Sequence, residues 1–131
     1  MSATSPAIAP DALRDEISIW YYPLDCDRVE TEACAGLLDA AERARAARFR
    51  FAVHRRRFLV GRGTLRCILG HYAGCDPRQL RFAHGDHGKP YLAGPDGVDR
   101  LRFSVSNSGG VGAVAVARGG ELGLDIEALR P

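Results

Sequence analysis

LRFSVSNSGGVGAVAVARGGELGLDIE, residues 101–127, decides how the chain is read. It holds three extended runs, Leu101 to Ser106, Val111 to Ala117 and Leu122 to Glu127, separated by Gly109-Gly110 and Gly119-Gly120 at hairpin spacing, and predicts an antiparallel meander. Neither glycine pair opens a helix, so both read as turns and not as a phosphate loop. Successive side chains of a strand point to opposite faces, so Leu122, Leu124 and Ile126 enter a core while Gly123, Asp125 and Glu127 share the other face. The two carboxylates then stand roughly 6–7 Å apart. That spacing fits convergence on one hard cation such as Mg²⁺, and equally a strand end with two solvated acids.

The whole chain has 131 residues, 46% hydrophobic and 26% charged, with a formal charge of +2, enough for one compact domain. Residues 1–15 read as a flexible tail, since they are small and Pro-containing and show no basic stretch feeding an apolar one. No apolar run is long enough to cross a bilayer, so a cytoplasmic protein with no membrane partner is expected. Cys26, Cys34, Cys67 and Cys75 form no C-x-x-C pair and read as reduced thiols. Nine arginines fall between Arg43 and Arg66, whereas Lys89 is the one lysine. Such clustering makes a local field suited to phosphates, nucleic acid or an acidic protein surface.

Upstream, Glu16 to Tyr22 reads as a strand that Pro23 ends. A helical pattern follows from Thr31, with a break near residues 38–40 where Asp39 caps a second helix carrying Glu42 in its first turn. His54 to Tyr72 is the longest amphipathic segment, its stripe formed by Phe58, Leu65, Leu69 and Tyr72. Gly61 and Gly63 inside it imply close packing or the approach of a ligand. Leu80 to Ala83 and Lys89 to Leu92 read as short extended pieces around a turn at residues 84–88, whose His84, Asp86 and His87 fit an exposed loop better than a metal site. The order is one strand, about three helices and an antiparallel meander, an α+β fold.

Several separated pieces then agree. Arg45, the run 47–51, the run 56–62, Gly88-Lys89-Pro90, the run 103–108 and Gly123-Leu124-Asp125-Ile126-Glu127 resemble, in order and spacing, the N-terminal half of the Sfp-type 4′-phosphopantetheinyl transferases. The resemblance implies that residues 16–131 form that family's N-terminal subdomain, one half of a pseudo-dimer. It implies an enzyme that uses coenzyme A and Mg²⁺ to move phosphopantetheine onto a serine of an acyl or peptidyl carrier protein, as in secondary metabolism. On this resemblance Asp125 and Glu127 are the metal ligands and catalytic acids. Arg57, with Arg56 and Arg45, holds the 3′-phosphate, Gly88, Lys89 and Pro90 reach the nucleotide, and Ser106 and Asn107 line the pyrophosphate region.

The chain departs from the family pattern in three places. Asn107 stands where the family has a histidine, so it offers a neutral hydrogen bond and no charge. Glu42, next to Arg43, stands at a phosphate-facing basic position. The sequence stops at Arg130-Pro131, before the family's Lys-Glu helix, so a missing C-terminal half or a second chain is expected and little turnover without it. Two other readings stay open: a non-catalytic interaction or coenzyme A-binding half-domain, and an Arg-rich nucleic-acid-binding module. The second is disfavoured, because the arginines are interleaved with a core stripe and no aromatic platform or helix-turn-helix accompanies them; no nucleic-acid partner is expected.

Overall fold

The computed structural model describes residues 17–86, 88–95 and 101–118. In chain order these form β1 (Ile17–Pro23), α1 (Arg28–Ala35), α2 (Ala40–Ala47), α3 (Ala52–Ala73), a 3-10 turn (Pro77–Gln79), β2 (Arg81–His84), β3 (Pro90–Gly94), β4 (Leu101–Ser108) and β5 (Val111–Arg118). The α+β order expected from the sequence is present. Among the described residues no helix is long and apolar enough to cross a membrane.

One antiparallel sheet has the order β1-β5-β4, and β2 with β3 forms a separate hairpin. The turn between β4 and β5 needs Gly109, whose φ of 59° lies in the left-handed region. What the sequence pattern did not reveal is that β1 closes onto β5, from Ile17 opposite Ala117 to Pro23 opposite Val111. This non-local pairing makes β5 the central strand, and its small residues Ala115 and Ala117 are 0% and 2% exposed. The phase of β1 also follows: Tyr22 turns into the core and Trp20 packs against it, leaving Ile17, Ile19 and Tyr21 on the outer, exposed face. Trp20 is held there by donating from Nε1 to the Tyr72 hydroxyl at 2.9 Å.

α3 crosses the inner face of the sheet. Leu65, Ile68 and Leu69 meet Tyr22, Leu24, Leu80, Leu101, Val114 and Val116 in one core, each buried large aliphatic contributing about 1.5–3 kcal/mol. The helix ends where Gly74 takes a left-handed φ of 71° and returns its N–H to the Gly70 carbonyl at 2.8 Å. Gly63 is explained by packing: a β-carbon there would lie 2.5 Å from Cys34 Cβ, so α1 docks directly on the α3 backbone.

The break between the first two helices is where it was expected. Asp39 accepts from the Glu42 N–H at 2.8 Å, and the Glu42 carboxylate accepts from the Asp39 N–H at 2.9 Å, a reciprocal cap of α2.

Candidate functional site

A cavity of about 190 Å³ lies where the first half of α3, the β2-β3 hairpin and the end of β4 meet. α3 supplies Arg57, Phe58, Gly61, Arg62 and Leu65, a set at helical spacing that shares one face. α2 contributes Arg45, β1 contributes Tyr22, and β4 contributes Val105 and Asn107. His84, Gly88 and Pro90 of the hairpin complete the wall. Gly61 is closely packed, since a β-carbon there would lie 3.2 Å from Leu24 Cδ2, and it also borders the cavity.

Of the residues singled out from the sequence, Arg45, Arg57, Gly88, Pro90 and Asn107 line this cavity. Lys89 is exposed between two lining residues, and its carbonyl accepts from the Gly85 N–H at 2.9 Å. Arg56 is exposed and outside the lining, although its charge still acts on Asp25. Ser106 pairs with Ala113 and Asn107 with Gly112, so strand alternation puts Ser106 on the sheet face opposite the cavity. Asp125 and Glu127, with the whole run 122–127, lie outside the described residues. Among the described residues no three His, Cys, Asp or Glu side chains converge as a metal site.

The arginines of the 43–66 stretch do not act as one field. Arg66 is 0% exposed, and its Nε donates to Glu42 at 2.9 Å while one terminal nitrogen donates to the carbonyls of Pro77 and Leu80, each at 2.8 Å. Its other terminal nitrogen stands 2.8 Å from Glu42 and 3.4 Å from Asp39. Arg62 pairs with the second Glu42 oxygen at 2.9 Å and stacks over Phe58 and Phe82. Glu42, which replaces a basic residue of the resembled pattern, is therefore the buried counterion of two arginines. Arg55 bonds the Phe49 carbonyl, and Arg43, Arg48 and Arg50 are exposed.

Of the arginines on the cavity wall, Arg45 and Arg57 are not held by a buried carboxylate. Arg57 clasps Asp25 with two bonds of 2.7 and 3.0 Å, and Asp25 is itself exposed. The hydrogen bond from Arg57 holds the Asp25 carboxyl below its ordinary range, aided by the charges of Arg57 and Arg56. Gly110 makes room for that clasp, since a β-carbon there would lie 2.6 Å from Asp25 Oδ2. Arg45 has no carboxylate partner among the described residues, and its guanidinium lies 5.1 Å from the Phe58 ring centre.

Sequence reasoning missed Tyr22, Phe58, Arg62, Leu65, His84 and Val105 as lining residues. For Val105 and Asn107 a signal existed, because alternation places them on one face with Phe103. For Tyr22 none did, because its role depends on β1 reaching across to β5. Tyr22 is 7% exposed, and its hydroxyl has no hydrogen-bond partner among the described residues. Burial pushes that phenol up to about 12, with the Arg62 charge opposing the shift.

Residues 25–118 match the family model described as 4′-phosphopantetheinyl transferase, N-terminal. The chain is 42% identical over 119 residues to the 4′-phosphopantetheinyl transferase HetI of Nostoc sp., covering 91% of this chain and 50% of that protein. It is 32% identical over 118 residues to the 4′-phosphopantetheinyl transferase psf-1 of Bacillus pumilus, covering 87% and 48%. Similarity also extends to the 4′-phosphopantetheinyl transferase of Bacillus subtilis, 29% identical over 103 residues, covering 78% and 44%. The chain spans about half the length of these curated relatives.

Proposed function

The chain belongs to the 4′-phosphopantetheinyl transferase family, and from that premise we propose that it supplies the nucleotide-recognising half of an enzyme that transfers 4′-phosphopantetheine from coenzyme A to a serine of an acyl or peptidyl carrier protein. The observation that carries this reading is the pair Arg45 and Arg57 on one cavity, the first without a carboxylate partner among the described residues and the second held by an exposed one. Guanidinium forks suit a phosphate monoester, here the 3′-phosphate of coenzyme A. The volume supports a subsite: about 190 Å³ is below the roughly 300–1,000 Å³ of pockets that bury a whole small ligand. Gly88 and Pro90 then flank the nucleotide, and Asn107 offers the pyrophosphate a neutral hydrogen bond.

Asp125 and Glu127 would hold Mg²⁺, which neutralises the pyrophosphate and polarises the β-phosphorus when bound. The carrier serine attacks that phosphorus in line, and adenosine 3′,5′-bisphosphate leaves. On this reading the chain alone turns over little, and a second half supplies the base and the remaining phosphate contacts. Calorimetry of coenzyme A with and without Mg²⁺ tests it, followed by a transfer assay with a separately produced C-terminal half. Metal-linked binding by this chain, with transfer only when both halves are present, is expected. Metal-linked binding with no transfer in either case would favour a non-catalytic coenzyme A-binding half-domain. Absence of binding would end both.

A further inference from the structure

We infer that the Tyr22 hydroxyl is a specificity-determining donor to the nucleotide's phosphate monoester, forming with Arg45 and Arg57 one anion subsite. The inference rests on the function proposed above and adds a residue that neither the sequence pattern nor the family resemblance singled out. It begins from an unanswered hydrogen bond. Tyr22 is 7% exposed, and its oxygen has no partner among the described residues. Roughly nine in ten buried polar groups are paired, and leaving one unpaired costs about 1–3 kcal/mol. A phenylalanine would fill the same space without that cost.

The ring packs against the backbone of β5. Gly112 lies opposite Tyr22 in the sheet, and a β-carbon there would stand 2.5 Å from Tyr22 Cε2 and 2.9 Å from Cζ. The missing side chain at 112 thus leaves the slot that the ring occupies. Among the described residues Tyr22 borders the cavity of Arg45 and Arg57 and a second one, and they differ in what they offer a hydroxyl. The second, of about 380 Å³, is walled by Trp20, Tyr21, Thr64, Cys67, Ile68 and His71, so it presents a neutral hydroxyl and an imidazole but no guanidinium. The first carries Arg45, Arg57, Arg62 and Asn107, and the Arg62 charge acts on the Tyr22 hydroxyl.

The chemistry of that wall selects an anion. Arg62 is engaged by Glu42, so it contributes field and few free donors, whereas Arg45 and Arg57 provide the forks. A phenol pushed up to about 12 remains an O–H donor throughout the neutral range. It therefore adds a directed bond to a phosphate oxygen without a further cation to be desolvated.

The test compares coenzyme A with dephospho-coenzyme A, which differ by the 3′-phosphate, on wild type and Tyr22→Phe. The variant should lose about 10-fold or more in affinity for coenzyme A, the weight of a hydrogen bond to a charged group. Its affinity for dephospho-coenzyme A should be unchanged, and its thermal midpoint equal or higher, because an unsatisfied buried oxygen has gone. Equal coenzyme A affinity in the two proteins, equal loss for both ligands, or a lowered midpoint overturns the assignment. If wild type prefers coenzyme A and the variant matches it, only the Tyr22 assignment falls. If wild type does not distinguish the two ligands, the phosphate subsite falls with it.

Discussion

Arg62 and Arg66 on one side, and Arg45 and Arg57 on the other, come from the same basic stretch and do opposite things. The first pair converges on Glu42, with side chains 10% and 0% exposed against a carboxylate at 7%, and Arg66 is answered further by two backbone carbonyls. The second pair borders a cavity, and its partners are an aromatic face and an exposed carboxylate. The difference is one of satisfaction rather than of residue type. A guanidinium whose donors are answered inside the protein fastens elements together, here α2, α3 and the segment carrying Pro77 and Leu80. One whose donors are unanswered, or answered by a displaceable group, is available to a ligand.

The sharpest way to break the contrast is Glu42→Ala. It strands two buried cations and removes half of the α2 cap, so a loss of about 3–5 kcal/mol is expected, a large share of the roughly 5–15 kcal/mol typical of a domain. Urea unfolding measures it, and a loss under about 1 kcal/mol would mean that the cluster is not the fastener described. Arg45→Ala should do the reverse. Its urea midpoint should stay within error of wild type, while coenzyme A affinity falls by about 1.5–3 kcal/mol, the weight of a charge-assisted hydrogen bond. If stability falls and affinity does not, Arg45 belongs with the first pair.

The sequence carried much of this fold in local signals. Asp39 with Glu42 three residues on spelled the cap of α2, Leu65, Leu69 and Tyr72 of the α3 stripe spelled its core side while Phe58 falls on the cavity wall, and Gly109-Gly110 spelled a turn. The motifs delimit a subdomain over residues 16–131, and the family match covers residues 25–118 of it. What local pattern could not carry was pairing at a distance. β1 meeting β5, Arg66 reaching Glu42 across two helices, and Tyr22 reaching the cavity each depend on where separate elements dock. The arginine stretch misled for the same reason: composition reports charge, whereas only packing reports which charges are already neutralised. The Ser106-Asn107 step is the intermediate case, legible from alternation once the inward phase of β4 was known.

Asn107 offers a gentler probe of the second region. It is exposed at the cavity edge, so Asn107→His should fold normally and add a cation only below the ordinary histidine range of about 6.5. Relative to wild type at each pH, coenzyme A should bind a few-fold tighter at pH 6 and equally at pH 8. Calorimetry at the two pH values decides it, and an equal gain at both would assign the effect to shape.

Asp25→Asn probes the displaceable partner itself, and its effect on folding should be slight. The Asp25 carboxyl is held below its ordinary range in the fold by Arg57, so ionised Asp25 favours the folded state above the unfolded value of about 3.9. That contribution fades as pH falls through the lower folded value. The stability difference between wild type and the variant should therefore be flat from pH 5 to 8 and shrink below about pH 4. Because the pair is exposed, the plateau itself should be slight. Ligand binding gives the more telling sign. If Asp25 merely occupies the Arg57 fork until a phosphate arrives, removing its charge should raise coenzyme A affinity. If instead it aims Arg57 at the cavity, affinity should fall, and the line drawn between structural and available arginines would have to move to include Arg57 on the structural side.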